Sequence, residues 1–277
     1  MADTPLTLMA VHAHPDDEAS TTGGILAKYS AEGVRTVLVT CTNGEMGDAP
    51  GGVKPGEAGH VEALVVASRR RELEESRRIL GITHLEMLGY RDSGMMGWPS
   101  NTAAGSFWTL PVDEAAAPLI TLMQRHRPDV VVTYDSNGFY GHPDHIQAHR
   151  ITVAAMDAVG STAKLYYPTF RRSRLAAFRE RVAATGVELP DVDESTFGSP
   201  DEDIAASIDV REHAAAKRAA LSAHSSQEEN LFFLRFEPAI FVEMFGTEEF
   251  VRARDPNAGP TPETDLFAGL RQRVASS

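Results

Sequence analysis

The apolar and polar positions alternate between two kinds of segment along most of the chain. Leu6 to Val11 is a short apolar run that stops at His12-Ala13-His14, which predicts a buried strand. A helical stretch from Ala19 to Glu32 follows and halts at Gly33. Thr36-Val37-Leu38-Val39-Thr40 predicts a second strand from its β-branched content. Asn43 to Gly59 is rich in Gly and Pro and reads as a loop. Leu64 to Leu80 has helical periodicity, His84 to Leu88 reads as a weaker strand, and Gly89 to Leu110 is a long loop that holds both tryptophans. Asp113 to Arg127 reads as a helix, Asp129 to Tyr134 as a buried strand, Asp135 to Asp144 as a loop, Ile146 to Val159 as a helix and Lys164 to Tyr167 as a strand.

Strands alternating with helices predict a Rossmann-like, doubly wound α/β fold with a mostly parallel sheet and helices on both faces. The strands lack apolar/polar alternation, as expected when both faces are covered. Beyond Phe170 the pattern loosens. Arg171 to Ala184 and Glu212 to His224 read as helices, Gly186 to Asp203 as an acidic, proline-punctuated segment, Ile240 to Met244 as a strand, and Arg254 to Pro262 as an irregular arm. The expected organisation is a catalytic core over residues 1–170 and a small C-terminal cap over 171–277 that completes the same domain.

The chain has 277 residues, enough to bury a full core without a disulfide or structural metal. Acidic residues outnumber basic ones by 39 to 26, a net charge of −13 that argues against a nucleic-acid partner, although Ser68-Arg69-Arg70-Arg71 makes a local basic patch. The lone cysteine, Cys41, excludes an intrachain disulfide and a cysteine zinc cage, and it reads as a buried, inert thiol. Nothing resembles a signal peptide or membrane span, so the expectation is a soluble, cytoplasmic protein. Oligomeric state is not readable.

In open α/β sheets ligands bind beyond the carboxyl ends of the strands. Two clusters fall there: His12-Ala13-His14-Pro15-Asp16-Asp17-Glu18 after the first strand, and Tyr140-Gly141-His142-Pro143-Asp144-His145 after the fourth. Each contains His-Pro-Asp, and together they hold four of the ten histidines. Imidazole and carboxylate are the usual ligands of an open catalytic zinc site, and two histidines with one carboxylate also suit Fe(II). The pair Asp16-Asp17 offers one acid to a metal and one to a water as general base. Capping and loop roles explain one such cluster easily; they explain two poorly.

These segments resemble the paired signature of the GlcNAc-phosphatidylinositol de-N-acetylase (LmbE-like) superfamily, and within it the actinobacterial mycothiol enzymes: the biosynthetic deacetylase and the S-conjugate amidase. Further segments carry the resemblance: Thr40 to Glu45, Tyr90-Arg91-Asp92-Ser93-Gly94-Met95, Tyr134 to Gly138, Ala223 to Gln227 and Glu263 to Leu270. The resemblance implies zinc held by His14, Asp17 and His145. It implies Asp16 as general base, His142 as the group that stabilises the oxyanion or protonates the leaving amine, Asp144 as the group orienting His142, and Tyr140 as a mobile polariser of the amide carbonyl. Arg69, with Arg71 as the alternative register, and Asp92 match groups that contact sugar hydroxyls, while Glu45 and His224 are further candidates for substrate contacts. His12 reads as a satisfied core histidine, and Trp98 and Trp108 as loop packing.

The implied substrate is a small N-acyl amino sugar, and the implied reaction is release of acetate from its nitrogen. An amidase acting on a larger acyl group, or a deacetylase of another N-acyl sugar in specialised metabolism, is the alternative. Residues 246–270 look amidase-like, yet Ser20-Thr21-Thr22 stands where the amidase carries a lysine, and Phe170 to Ser207 matches neither subfamily. A noncatalytic sugar binder would have lost Asp16 or His142. A dinucleotide binder would need a Gly-x-Gly-x-x-Gly turn after the first strand, which is absent.

Overall fold

Along β1 (Thr7–His12) successive side chains point to opposite faces, and both faces are covered: Leu8 and Ala10 enter one hydrophobic cluster, Met9 and Val11 another, and none is exposed. The computed structural model describes residues 5–183, 198–256 and 261–271. The chain continues through α1 (Asp17–Ala31), β2 (Arg35–Thr42), α2 (Glu62–Leu80), β3 (His84–Tyr90), α3 (Val112–His126), β4 (Val130–Val132), the single turn α4 (Gly138–Gly141), α5 (Pro143–Ala158) and β5 (Lys164–Thr169). It ends through α6 (Arg172–Ala183), β6 (Ala206–Asp209), α7 (Ala214–Ala223), α8 (Glu228–Leu234), α9 (Pro238–Phe245) and β7 (Thr247–Arg254).

The seven strands form one sheet in the order β3-β2-β1-β4-β5-β7-β6. The first five are parallel, and β7 runs antiparallel to both β5 and β6. Helices α1, α2, α7 and α9 cover the face that carries Leu8, Leu38 and Val132; α3 and α5 cover the face that carries Met9, Val39 and Val131. Strand order reverses between β1 and β4, and a crevice opens beyond their carboxyl ends at such a reversal. Both His-Pro-Asp segments leave the sheet there.

The C-terminal third departs from the sequence reading. Ile240 to Met244 belongs to α9, not to a strand: Pro238 occupies the first helical turn, and Phe241 and Phe245 bury one helical face four residues apart. The strands in this region are β6 and β7, and the sequence reading finds neither. The helix expected from Glu212 starts at Ala214, after a 3-10 turn over Arg211–His213. Two short 3-10 turns also interrupt the loop expected from Gly89 to Leu110. Residues 186–197, most of the acidic segment, and residues 257–260 of the arm lie outside the described residues. Beyond that arm Leu266 and Phe267 are buried in the core.

Candidate active site

The turn leaving β1 is strained. Asp16 has φ 112° and ψ −28°, which costs a non-glycine residue about 1–3 kcal/mol and persists where neighbours over-determine it. Here they do. Its carbonyl accepts from the Ala19 and Ser20 amides, and its own amide donates to Glu18 Oε2 at 2.9 Å. Arg69, buried on α2, sets Nη2 3.1 Å from Asp16 Oδ2 and donates to the Pro15 and Gly44 carbonyls. A side chain on Gly44 or Gly47 would collide with this guanidinium. Arg70 and Arg71 face solvent, so of the arginine run it is Arg69 that the fold turns inward.

Asp17 is held by three groups. Its Oδ2 accepts the His14 amide at 2.8 Å and the Tyr134 hydroxyl at 2.6 Å, and it lies 3.3 Å from His14 Nδ1. Its Oδ1 lies 3.5 Å from His145 Nε2. The Tyr134 hydroxyl also accepts the Ala13 amide, and its ring stacks on His145 at 4.0 Å. His145 Nδ1 faces the Gly138 carbonyl. Gly138 has a positive φ, and a Cβ there would strike the Ile146 amide and His145. That close approach sets the height of α5, which carries His145.

These residues fit a metal ion. Ligating atoms of His14, His142 and His145 lie within 4.8 Å of one another and are buried. His145 Nε2 is buried with no hydrogen-bond partner among the described residues. The Asp17 carboxylate stands beside two of these histidines, with Oδ2 3.3 Å from His14 Nδ1 and Oδ1 3.5 Å from His145 Nε2.

Charge is partitioned across the cluster. Burial alone would raise the Asp17 carboxyl, but His145 and His14 hold it well below the usual carboxylate range. Burial, reinforced by Asp17 and opposed by Arg69, pushes Asp16 up to about 6. Burial, with His14 and His145 beside it, lowers His142 to about 2. His14 titrates well above its ordinary value because Asp92, Asp144 and Asp17 outweigh its burial.

The other candidates divide. Asp92 and Glu45 line the same wall: Glu45 Oε2 accepts the Asp92 amide, and Asp92 accepts the Met46 and Gly94 amides while standing 3.7 Å from His14 Nε2. Tyr140 stands half exposed over the cluster, its ring 5.1 Å from that of His145, next to Phe139 with φ 68°. Asp144 does not orient His142 through its carboxylate. Helix α5 begins at Pro143, so the Asp144 amide donates to His142 Nδ1, and the carboxylate turns to the Ser93 amide and His14 Nε2. His224 is wholly buried, 2.7 Å from Glu18, rather than facing the crevice. His12 is satisfied in the core by Thr22 and Tyr134. Trp108 lies under the Arg150 guanidinium, and Cys41 is buried with its thiol raised by burial.

Sequence reasoning places Glu18 in the first cluster and Tyr134 in a family-like segment but gives neither a role. Tyr134 had one signal: it follows β4 as His12 ends β1, at the same level of the sheet. The partners of Glu18 come from α2 and from beyond α7, so no local pattern announces them.

The family model "PIG-L: GlcNAc-PI de-N-acetylase" matches residues 9–156. A 1D-myo-inositol 2-acetamido-2-deoxy-alpha-D-glucopyranoside deacetylase of Geodermatophilus obscurus is 41% identical over 291 residues, spanning 95% of this chain and 97% of that protein. Among solved structures, the N,N'-diacetylchitobiose deacetylase of Pyrococcus horikoshii aligns with TM-score 0.57 at 22% identity, over 89% of this chain and 83% of that one. GalB, a 4-carboxy-2-hydroxymuconate hydratase of Pseudomonas putida KT2440, aligns with TM-score 0.60 at 16% identity, over 92% of this chain and 99% of that one. The two structures share the fold and differ in chemistry, so the likeness to them speaks for architecture alone.

Proposed function

This chain belongs to the GlcNAc-PI de-N-acetylase (PIG-L) family, and from that premise we propose that it is a metal-dependent hydrolase that removes the N-acetyl group from an N-acetylglucosaminyl small molecule, with an N-acetylglucosaminyl-inositol as the substrate class. The observation that carries this reading is the buried His14–Asp17–His142–His145 cluster with Asp16 beside it, its carboxyl near 6. His14, Asp17 and His145 are the ligand set, and zinc, with Fe(II) as the other suitable ion, would supply Lewis acidity and an acidified water there.

The chain's own residues supply the proton transfers. Asp16 is largely ionised at neutral pH yet basic enough to take the proton of an attacking water. Because His142 Nδ1 accepts the Asp144 amide, its proton sits on Nε2. A neutral Nε2–H is a donor for the oxyanion that develops on the acyl carbon. Tyr140 offers its hydroxyl to the same oxygen from the mouth of the crevice. Arg69, Asp92 and Glu45 form the wall that meets sugar hydroxyls. No described helix is long and apolar enough to cross a membrane, and the lone buried Cys41 suits a reducing cytoplasm.

A bulkier acyl group is the second reading. Among the described residues the exposed large hydrophobics are Val61, Leu64, Met95, Met96, Trp98 and Tyr140, all on segments at the carboxyl edge of the parallel strands. Free-amine release by the zinc-loaded protein from N-acetylglucosaminyl-inositol and from N-acetylglucosamine tests the proposal. Release that is lost on metal removal and in Asp16→Ala is expected. No release from a protein that binds zinc stoichiometrically rejects deacetylation of these sugars and favours the bulkier acyl group.

A further inference from the structure

Glu18 and His224 are 206 positions apart, and both side chains are wholly buried. Burying two ionisable groups is unfavourable unless their remaining lone pairs and protons find partners. The partners of Glu18 are specific. Oε1 accepts from the Ser76 hydroxyl on α2 and meets His224 Nε2 at 2.7 Å; Oε2 accepts the Asp16 amide at 2.9 Å. The imidazole therefore connects, through one carboxylate, to the backbone of the residue assigned above as the general base. Asp16 is one of three non-glycine residues with positive φ among those described.

We propose that Glu18 and His224 form a positioning pair that keeps Asp16 in its left-handed conformation and so fixes the direction of its carboxylate. The inference rests on the reading of Asp16 as general base. Ser76 on α2 and His224, just past the end of α7, orient the Glu18 carboxylate, and Glu18 clamps the Asp16 amide. Arg69 meets the Asp16 carboxylate itself. Without Glu18 the Asp16 amide loses its acceptor, and the balance of contacts that holds φ positive shifts toward negative values. The side chain then swings while the Asp17, His14 and His145 contacts stay in place. Neither Glu18 nor His224 touches the crevice, so both act through Asp16.

The test uses the full chain loaded with zinc, as Glu18→Ala, Glu18→Gln and His224→Ala, each also in an Asp16→Ala background. A misdirected base should lower kcat for amine release about ten- to hundredfold in Glu18→Ala, with KM and zinc content held within about twofold. Glu18→Gln keeps an acceptor for the Asp16 amide and should recover much of the rate. In the Asp16→Ala background the same changes should lower the residual rate no further, because the two sites act as one unit. Unchanged kcat per zinc-loaded molecule, or a further loss in the Asp16→Ala background, overturns the proposal. If Glu18→Ala fails to fold, Glu18→Gln and His224→Ala carry the same comparison. If the wild type releases no amine from any sugar tried, the deacetylase reading has failed, and crystal structures decide the positioning claim by themselves. Asp16 at negative φ in a Glu18 variant supports it, and retention of positive φ overturns it.

Discussion

Asp16 and Asp17 are neighbours with opposite electrostatic fates. Asp17 faces two imidazoles and a phenol, whereas Asp16 faces burial and one guanidinium. Their roles follow from that difference, and mutation should separate them. Asp16→Ala is expected to lower kcat by about 10²–10⁴ while elemental analysis still finds bound metal. His14→Ala is expected to lose the metal outright in the same assay. Tyr134→Phe keeps the ring on His145 but removes the hydroxyl that Asp17 and the Ala13 amide share. It should weaken metal binding about 10–100-fold in a chelator competition. It should also cost about 1–3 kcal/mol in thermal unfolding of the metal-free protein, because the Ala13 amide is left without a partner. The ligand candidates were legible because His-Pro-Asp occurs twice at strand ends. The partnerships were not: His224 reads from sequence as a substrate contact, Tyr134 only as part of a family-like segment and Ser76 not at all, because each meets its partner across long sequence separations.

At the level of elements, legibility tracked burial on two faces. Strands β1, β2 and β4 are runs buried on both faces, and the pattern reported them, while the edge strand β3, nowhere fully buried, gave a weaker signal. Strand β7, Thr247-Glu248-Glu249-Phe250-Val251-Arg252-Ala253-Arg254, carries four charged residues that are spent on ion pairs, so composition hid it. Glu248 explains why α1 contains Gly23-Gly24. Its carboxylate accepts the Gly24 and Ile25 amides and the buried Lys217 ammonium. A Cβ on Gly24 would lie 2.5 Å from Val210 and 2.7 Å from Glu248. Helix propensity favours alanine at such a position by about 1 kcal/mol, but overpacking costs about 1–3 kcal/mol. Gly24→Ala is therefore expected to lower the midpoint of thermal unfolding, against the trend of propensity.

Across the whole molecule, the C-terminal segment closes the structure by polar as well as apolar contacts. Asp265 accepts the Tyr29 hydroxyl and the Phe267 amide and pairs with Arg271. Burial would raise its carboxyl, but Arg271 and the Phe267 amide hold it below its ordinary value. A depressed carboxyl adds stability that is fully present above the unfolded-state value near 4 and is lost as pH falls through the lower folded value. Because the pair is partly exposed, Asp265→Asn should cost about 1 kcal/mol at pH 7, and the gap in melting temperature from the wild type should begin to close below about pH 4 and vanish only below the depressed folded value. The strand order has a consequence for the birth of the chain. β7 lies between β5 and β6, although β6 is made first. A ribosome working at about 5–20 residues per second thus delivers both His-Pro-Asp segments long before the strand that covers β5. Until β7 emerges, β5 presents a bare row of amides and carbonyls, a template for the wrong neighbour. The nascent protein holds its chemistry early and its protection from aggregation late.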